Sequence, residues 1–291
     1  MTAHDREHEP EPEPEIETDP ETTETGTENE SERSGDAGSG PILVPNRILE
    51  TDAIEPGVVS LLSRASVVLL GYHELPEQTP PGQARLQFED RAQNRLDELA
   101  ESLELAGATV ETRLVFTHDR EQTLNRVADE TNCVATLLPN PSMRLEDVLV
   151  PLRGERSVER VAGLVGNLLA GLDVSVTLYH LERGDERASA AVLERGRKVL
   201  TGRGVDPELI ETRTETSRTP VRAIVRTAEE FDAVVMGESD PGVMTFVFGQ
   251  TAAEVAERFR GPVLVVRRRG DEDGPADDPT VPVERSEDST E

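Results

Sequence analysis

The chain has few of the residues on which several classes of protein depend. Its 291 residues include one cysteine, Cys133, which excludes an intrachain disulfide and a cysteine-based metal cluster. Tryptophan is absent, and aromatic residues make up 3% of the sequence. No stretch approaches the roughly 18 consecutive apolar residues of a membrane-spanning helix, and the first residues lack the apolar segment of a signal peptide. The sequence therefore predicts a soluble, cytoplasmic protein that has no membrane partner.

Lysine is as scarce as cysteine. Of the 30 Lys and Arg residues only Lys198 is a lysine, and they face 59 Asp and Glu residues, for a formal net charge of −29. Phosphate backbones require a basic face, so the sequence predicts no nucleic-acid partner. The excess of Asp and Glu, together with the scarcity of lysine, resembles the composition of proteins from halophiles that accumulate salt, in which carboxylates keep the surface hydrated. An acidic mesophilic protein is the alternative, because acidic composition indicates solubility rather than fold.

The acidic residues are concentrated at both ends of the chain. Residues 1–41 hold 14 Asp and Glu against 2 Arg, and residues 271–291 hold 9 against 1. Both segments lack apolar periodicity and are rich in polar residues and proline, so they cannot bury enough surface to offset the entropy of ordering. We predict that both segments are disordered tails.

Between the tails, short runs rich in Val and Leu alternate with amphipathic stretches. The runs show no polar alternation, which is typical of parallel strands covered by helices on both faces. The amphipathic stretches carry apolar residues at helical spacing. One such stretch runs from Gln83 to Ala106 with Gly107 as its C-cap, and Ser157 is the predicted N-cap of another. The predicted fold class is α/β, with parallel sheets between layers of helices.

This order of strands and helices occurs twice, and short sequence matches accompany it. The matches are ILVP with VLVP (ending at Pro45 and Pro151), an arginine two residues later (Arg47 and Arg153), a Tyr-His pair (Tyr72-His73 and Tyr179-His180), and VETR with IETR (Val110–Arg113 and Ile210–Arg213). They predict two tandem domains, at residues 42–143 and 144–270. The first domain lacks the last helix and strand of the second, because Pro139 is followed almost directly by the strand at Val148.

A glycine-rich loop occurs in the second domain alone. The apolar run Ala233–Met236 ends at Gly237, and a loop then passes Gly242 and reaches Gly249 before a helix. Unpaired backbone N–H groups and the helix dipole converge at such a junction, so it can host a phosphate. The structural alternative is an inherited turn, in which Gly237 and Gly249 supply backbone freedom only.

With these features in place, residues 42–268 resemble a tandem universal stress protein of the UspA type. The matching features are the I/V-L-V-P strands, the strand that ends near His180, the Met236-Gly237 pair, the Phe248-Gly249 pair and the final PVLVV strand. The resemblance implies the adenine nucleotide alpha hydrolase-like fold, with a five-stranded parallel sheet between helices. It also implies an adenine nucleotide over the strand ends, held through G-x-x-G and a later G-S/T, and a dimer formed by the last strands.

Several positions depart from the motif of that family. The second glycine is Asp240, the hydroxyl position is Gln250 with Thr251 one residue later, and the nucleotide-contacting aspartate is Arg47 in one half and Arg153 in the other. Arg153 is predicted to hold a phosphate by bidentate hydrogen bonding or to form a surface ion pair. The predicted contacts of ATP or AMP are Gly237, Gly242, Gly249, Gln250, Thr251 and Arg153. No metal site is predicted, and His73 and His180 are assigned to packing.

The function predicted from these residues is a non-catalytic stress-response or regulatory module whose second domain binds ATP or AMP at most weakly. No nucleophile elbow, Walker A sequence or H-E-x-x-H motif occurs, so an enzyme is not expected. One alternative is a nucleotide-independent interaction scaffold whose pocket is filled by side chains, and a second is a weak ATPase. The last strand, formed by Val263, Leu264, Val265 and Val266, is predicted to pair in a homodimer or in a pseudo-dimer within the chain.

Overall fold

A computed structural model describes residues 38–50, 53–182, 186–238 and 249–268, with the backbone alone at residues 155, 156, 249 and 250. These residues belong to one compact unit. Apart from residues 38–41, the two predicted disordered tails lie outside the described residues.

Among the described residues, nine strands form a single sheet. In chain order they are β1 (Ile42–Arg47), β2 (Ser66–Glu74), β3 (Thr109–Thr117), β4 (Ala135–Leu138), β5 (Asp147–Leu152), β6 (Ser175–Glu182), β7 (Ile210–Thr216), β8 (Ala233–Gly237) and β9 (Val263–Val266). The order across the sheet is β3-β2-β1-β4-β9-β8-β5-β6-β7, and every pair is parallel except β4 with β9.

In the described part of the chain, seven α-helices pack on the two faces of this sheet. They are α1 (Pro56–Leu62), α2 (Pro81–Leu105), α3 (Arg120–Glu130), α4 (Glu155–Leu169), α5 (Glu186–Gly202), α6 (Pro220–Ala228) and α7 (Gly249–Arg258). Buried side chains of α1, α2, α4 and α5 form one continuous apolar cluster with one face of the sheet. The opposite face is covered by α3 in one cluster and by α6 and α7 in another. The prediction of an α/β fold with a mostly parallel sheet between helices is confirmed.

The two halves of the sheet have the same internal order. In the first half (β1–β4 with α1–α3) and in the second half (β5–β9 with α4–α7) the strands run third, second, first, fourth across the sheet. The last strand, β9, lies between the halves, because Val263 is parallel to Val234 of β8 and antiparallel to Leu138 of β4. The final strand therefore has hydrogen-bonded neighbours of the same chain on both sides.

Strand register corrects one of the sequence matches. Ile42 and Val148 occupy equivalent positions, because each pairs with the alanine that begins the fourth strand of its half. Asn46 then pairs with Gly71, whereas the equivalent Leu152 pairs with His180. The sequence match of Tyr72-His73 with Tyr179-His180 is therefore wrong by two residues. The hydrogen-bond register of the strands, and not the similarity of the sequence, determines which residues of β2 and β6 are equivalent.

Two predictions about helix ends have opposite outcomes. The C-cap of α2 is Ala106, and Gly107, predicted as the cap, follows it by one residue and ends the helix with a positive φ of 110°. Ser157 is not an N-cap, because α4 begins earlier and Gly154 holds the cap position. The Ser157 hydroxyl instead donates to the Gly154 carbonyl at 3.0 Å, inside the first turn. No helix within the described ranges is long and apolar enough to cross a membrane.

Candidate functional site

The two strands β5 and β8 separate toward their carboxyl ends. Strand β5 pairs with β6 as far as Leu152, but its pairing with β8 extends only to Leu149. Strand β8 meanwhile stays paired with β9 as far as Gly237. The space between the ends of β5 and β8, which we call the crevice, lies where the strand order reverses. In open parallel sheets this is the place where ligands bind.

Arg153 brings a positive charge to the crevice. It follows β5 directly and precedes Gly154, the N-cap of α4, and its side chain is exposed. Its Nη2 donates to Thr251 Oγ1 at 3.4 Å. Thr251 is the third residue of α7 and is only 8% exposed. The structure thus joins two predicted site residues, one from the end of β5 and one from the first turn of α7.

The main chain at Gly237 does not require a glycine. Its φ is not positive, and an added Cβ would lie 3.4 Å from Val161 Cγ2 and 4.0 Å from Ser157 Cβ, which are ordinary contacts. Among the described residues, neither backbone freedom nor close packing therefore accounts for the missing side chain. This observation weakens the inherited-turn interpretation at Gly237.

The other predicted contacts are less fully described. Gly249 and Gln250 begin α7, and their backbone alone is described. Gly242 lies outside the described residues, and so does Asp240, which stands where the family motif has its second glycine. The backbone N–H groups at the start of α7 are those that a helix leaves without intrahelical partners, and the helix dipole makes this end partially positive.

His180 is a residue of this region whose contact the sequence did not reveal. It is 9% exposed, and its Nδ1 lies 2.8 Å from the carbonyl oxygen of Leu152, the last residue of β5. Sequence reasoning assigned His180 to packing, and burial agrees with that, but the bond to the end of β5 needed the strand register. His73 packs against Phe88 and Phe116, with ring centroids 5.6 and 6.1 Å away.

The first half lacks this arrangement although it has an equivalent arginine. Arg47 Nε donates to the Tyr72 hydroxyl at 3.3 Å, and its guanidinium lies 3.3 Å from Glu50 and 3.6 Å from Glu74. Its charge is therefore matched by carboxylates of its own half. The segment after β4 also reaches the start of α1, where Gly57 N donates to the Ser142 carbonyl at 2.8 Å.

A carboxylate cluster occurs at the other ends of the second-half strands. One carboxylate oxygen from each of Glu146, Asp147 and Asp232 lies within 4.8 Å of the others. Asp232 already accepts hydrogen bonds from the backbone N–H groups of Glu146 and Asp147 and from Arg144 Nε at 3.2 Å. These bonds give the Asp232 carboxylate a structural role at the start of β5.

Comparisons with known proteins agree with this architecture. Residues 145–267 match the model of the universal stress protein family, and that match covers the second half and not the first. No curated protein sequence shows significant similarity to the chain. The structure is similar to that of a universal stress protein from Archaeoglobus fulgidus DSM 4304, with 18% identity and a TM-score of 0.56 over 80% of this chain and 98% of the other.

Two further solved structures cover one half of the chain. A universal stress protein in complex with cAMP is 25% identical, with a TM-score of 0.36 over 43% of this chain and 98% of the other. A universal stress protein from Archaeoglobus fulgidus in complex with dAMP is 19% identical, with a TM-score of 0.32 over 42% of this chain and 97% of the other.

Proposed function

We propose that the chain is a non-catalytic stress-response or regulatory protein of the universal stress type, and that its crevice binds an adenine nucleotide with low affinity. The observation that carries the proposal is the contact of Arg153 Nη2 with Thr251 Oγ1 at 3.4 Å, at the carboxyl end of β5. It sets an exposed guanidinium beside the first turn of a ten-residue helix. Both groups attract phosphate, and backbone N–H groups in the same turn are natural donors of hydrogen bonds to its oxygens.

The residues present fit such a ligand in a simple way. Arg153 and the first turn of α7 would hold the phosphates, and the missing side chain at Gly237 would let the nucleotide approach the end of β8. The tolerance for a Cβ at Gly237 supports this reading, because no contact with a described residue requires a glycine there. Two universal stress proteins of known structure are in complex with cAMP and with dAMP, and we extend the adenine class to this chain as part of the proposal.

The test is fluorescence titration of the full chain with mant-ATP in molar KCl, because the net charge of −29 suggests that the protein works in high salt. We expect saturable binding with a dissociation constant below the millimolar range. Arg153→Gln should weaken it by about tenfold or more, since a hydrogen bond to a charged group contributes about 1.5–3 kcal/mol. Gly237→Ala should weaken it while leaving the unfolding midpoint unchanged.

The matched control is Arg47→Gln, which removes the equivalent arginine of the first half. Its guanidinium is engaged with Tyr72, Glu50 and Glu74, so mant-ATP affinity should not change. No saturation of the unmodified chain up to millimolar nucleotide would end the proposal. Release of phosphate from ATP by the unmodified chain, absent in Arg153→Gln, would indicate the weak ATPase instead.

A nucleotide-independent interaction scaffold is the second candidate. It is favoured by the burial of Thr251, which is 8% exposed and whose side chain lies in the corner that phosphate would use. If the scaffold is correct, mant-ATP does not bind, and Arg153→Gln lowers stability without any effect on a ligand. The titration and an unfolding experiment on the same variant therefore separate the two functions.

We further propose that the halves are two copies of one domain and that β9 joins them as a pseudo-dimer within the chain. The repeated strand order and the antiparallel register of Val263 with Leu138 support this arrangement. A homodimer through β9 would have to displace β4, so light scattering should give the mass of one chain.

A further inference from the structure

We propose that His180 is a positioning residue for Arg153, an inference that rests on the proposed function of the crevice. His180 lies at the position of β6 that pairs with Leu152 of β5. Its Nδ1 is 2.8 Å from the Leu152 carbonyl oxygen, and the residue is 9% exposed. A carbonyl oxygen only accepts, so Nδ1 carries the hydrogen and donates it. The bond therefore fixes the peptide that leads from β5 into Arg153.

The position of Arg153 depends on this peptide because, within the described residues, no strand pairs with the other side of β5 there. Pairing of β5 with β8 stops at Leu149, so the last part of β5 borders the crevice. The peptide between Leu152 and Arg153 also starts the turn into α4, whose N-cap is Gly154. Rotation of that peptide would move the guanidinium away from Thr251 Oγ1, which it reaches at 3.4 Å.

The first half supplies an internal comparison. Gly71 occupies the register position of His180, and an added Cβ there would lie 3.1 Å from Leu96 Cδ1 and 3.3 Å from Ile48 Cγ1. Apolar side chains thus fill the space that the imidazole takes in the second half. Arg47 is held instead through Tyr72 and nearby carboxylates. In the second half, where Arg153 contacts the first turn of α7, the buried His180 donates to the end of β5. In the first half, Gly71 stands at the equivalent position and offers no side-chain donor to β1.

The first experiment measures mant-ATP affinity of the full chain for variants at position 180. His180→Leu and His180→Gln remove a donor at the Nδ1 position, whereas His180→Asn places its amide nitrogen close to that position. We expect His180→Leu and His180→Gln to weaken binding about tenfold and His180→Asn to stay within about threefold of the unmodified chain. His73→Leu, in the first half, is the control that leaves the affinity unchanged.

A double-mutant cycle shows whether His180 acts through Arg153. In an Arg153→Gln background, His180→Leu should change the affinity by less than about twofold, because the group that it positions is absent. An equal loss in both backgrounds, or equal losses for His180→Asn and His180→Leu, overturns the proposal. If His180→Leu does not fold, His180→Gln takes its place in the cycle.

A readout without nucleotide keeps this inference separate from the proposed function. The Nε–Hε resonance of Arg153 is assigned by its absence from the spectrum of Arg153→Gln. We expect this resonance to shift in His180→Leu and His180→Gln and to stay in place in His180→Asn. An unmoved resonance in the donor-free variants refutes the positioning role whatever the titrations give. Absence of mant-ATP binding by the unmodified chain refutes the proposed function alone, and the resonance then decides about His180.

Discussion

At the scale of single residues, Tyr179 makes a direct pH prediction. The residue is 1% exposed and its hydroxyl donates to Glu215 Oε2 at 3.0 Å. Burial, with the bond to Glu215, raises the pKa of Tyr179 to about 12. A hydrogen bond from Arg226 lowers the pKa of Glu215, so this carboxylate stays charged and remains an acceptor.

The expected outcome is a late tyrosinate step in an ultraviolet titration. The folded pKa lies above the unfolded value of about 10, so the stabilisation by Tyr179 is complete below pH 10 and is lost as the pH rises through about 12. The chain has two tyrosines and no tryptophan, so subtracting the curve of Tyr179→Phe isolates this step. A Tyr179 step near pH 10, with native circular dichroism retained, would contradict the burial argument.

Position along the chain allows some residue-level prediction of position in space. Arg153 directly follows a strand and Thr251 lies in the first turn of a helix, so the sequence placed both near the strand ends, and their side chains are in contact at 3.4 Å. Their role in binding a nucleotide stays a prediction. His180 was not predictable as a partner of Leu152. That pairing depends on strand register, which the repeated Tyr-His letters misrepresent by two residues.

At the scale of elements, the end of α2 gives a prediction about stability. Ala108 N donates to the Leu103 carbonyl at 3.1 Å and Gly107 N to the Glu104 carbonyl at 2.9 Å, which is a Schellman motif. Gly107 has a φ of 110°, and an added Cβ would lie 2.8 Å from the Ser63 carbonyl oxygen. Gly107→Ala should therefore lower the free energy of unfolding by about 1–2 kcal/mol, measured in urea.

The control lies at the other end of the same helix. Gly82 has no positive φ, and a Cβ there would meet nothing within 4 Å. Gly82→Ala should therefore leave the free energy of unfolding unchanged or raise it by up to about 1 kcal/mol through helix propensity. Equal losses in the two variants would show that the left-handed backbone of Gly107 is not the cause.

Helix ends were predictable to the extent that local chemistry sets them. The glycine after α2 has a conformational reason that is visible in the sequence, and it was found. Ser157 has the side chain of a good N-cap, yet the helix starts at Glu155 after Gly154. Packing of α4 on the sheet outweighs the preference of one hydroxyl, which instead bonds within the first turn.

At the scale of the whole molecule, β9 links the two halves. Its four residues are buried, and they pair with β8 in parallel and with β4 in antiparallel register. Contacts beyond the sheet reinforce the link: Arg267 Nη2 lies 2.7 Å from Asp129 Oδ1, and Asn140 Nδ2 donates to the Ala256, Phe259 and Gly261 carbonyls at the end of α7. The sequence showed that the first half lacks a fifth strand, but it left two partners open for β9. Strand pairing over that distance has no local signal.

This arrangement predicts that the halves unfold together. The apolar cluster on one face of the sheet contains residues of both halves, and loss of β9 would expose an edge of each. Tyr72 belongs to the first half and Tyr179 to the second, so Tyr179→Phe and Tyr72→Phe each leave one tyrosine as a reporter. In urea, the fluorescence midpoint of each variant should coincide with the midpoint of its own circular dichroism curve.

In that experiment, the comparison of midpoints between the two variants and the comparison of the two probes within each variant answer different questions. Each substitution removes a side-chain hydrogen bond, from Arg47 in one variant and to Glu215 in the other, so the two midpoints need not be equal. Agreement between the two probes within each variant is therefore the decisive comparison. Fluorescence that changes before or after circular dichroism in either variant would mean that one half unfolds alone. The shared strand would then be a contact between two independent domains and not the centre of one cooperative sheet.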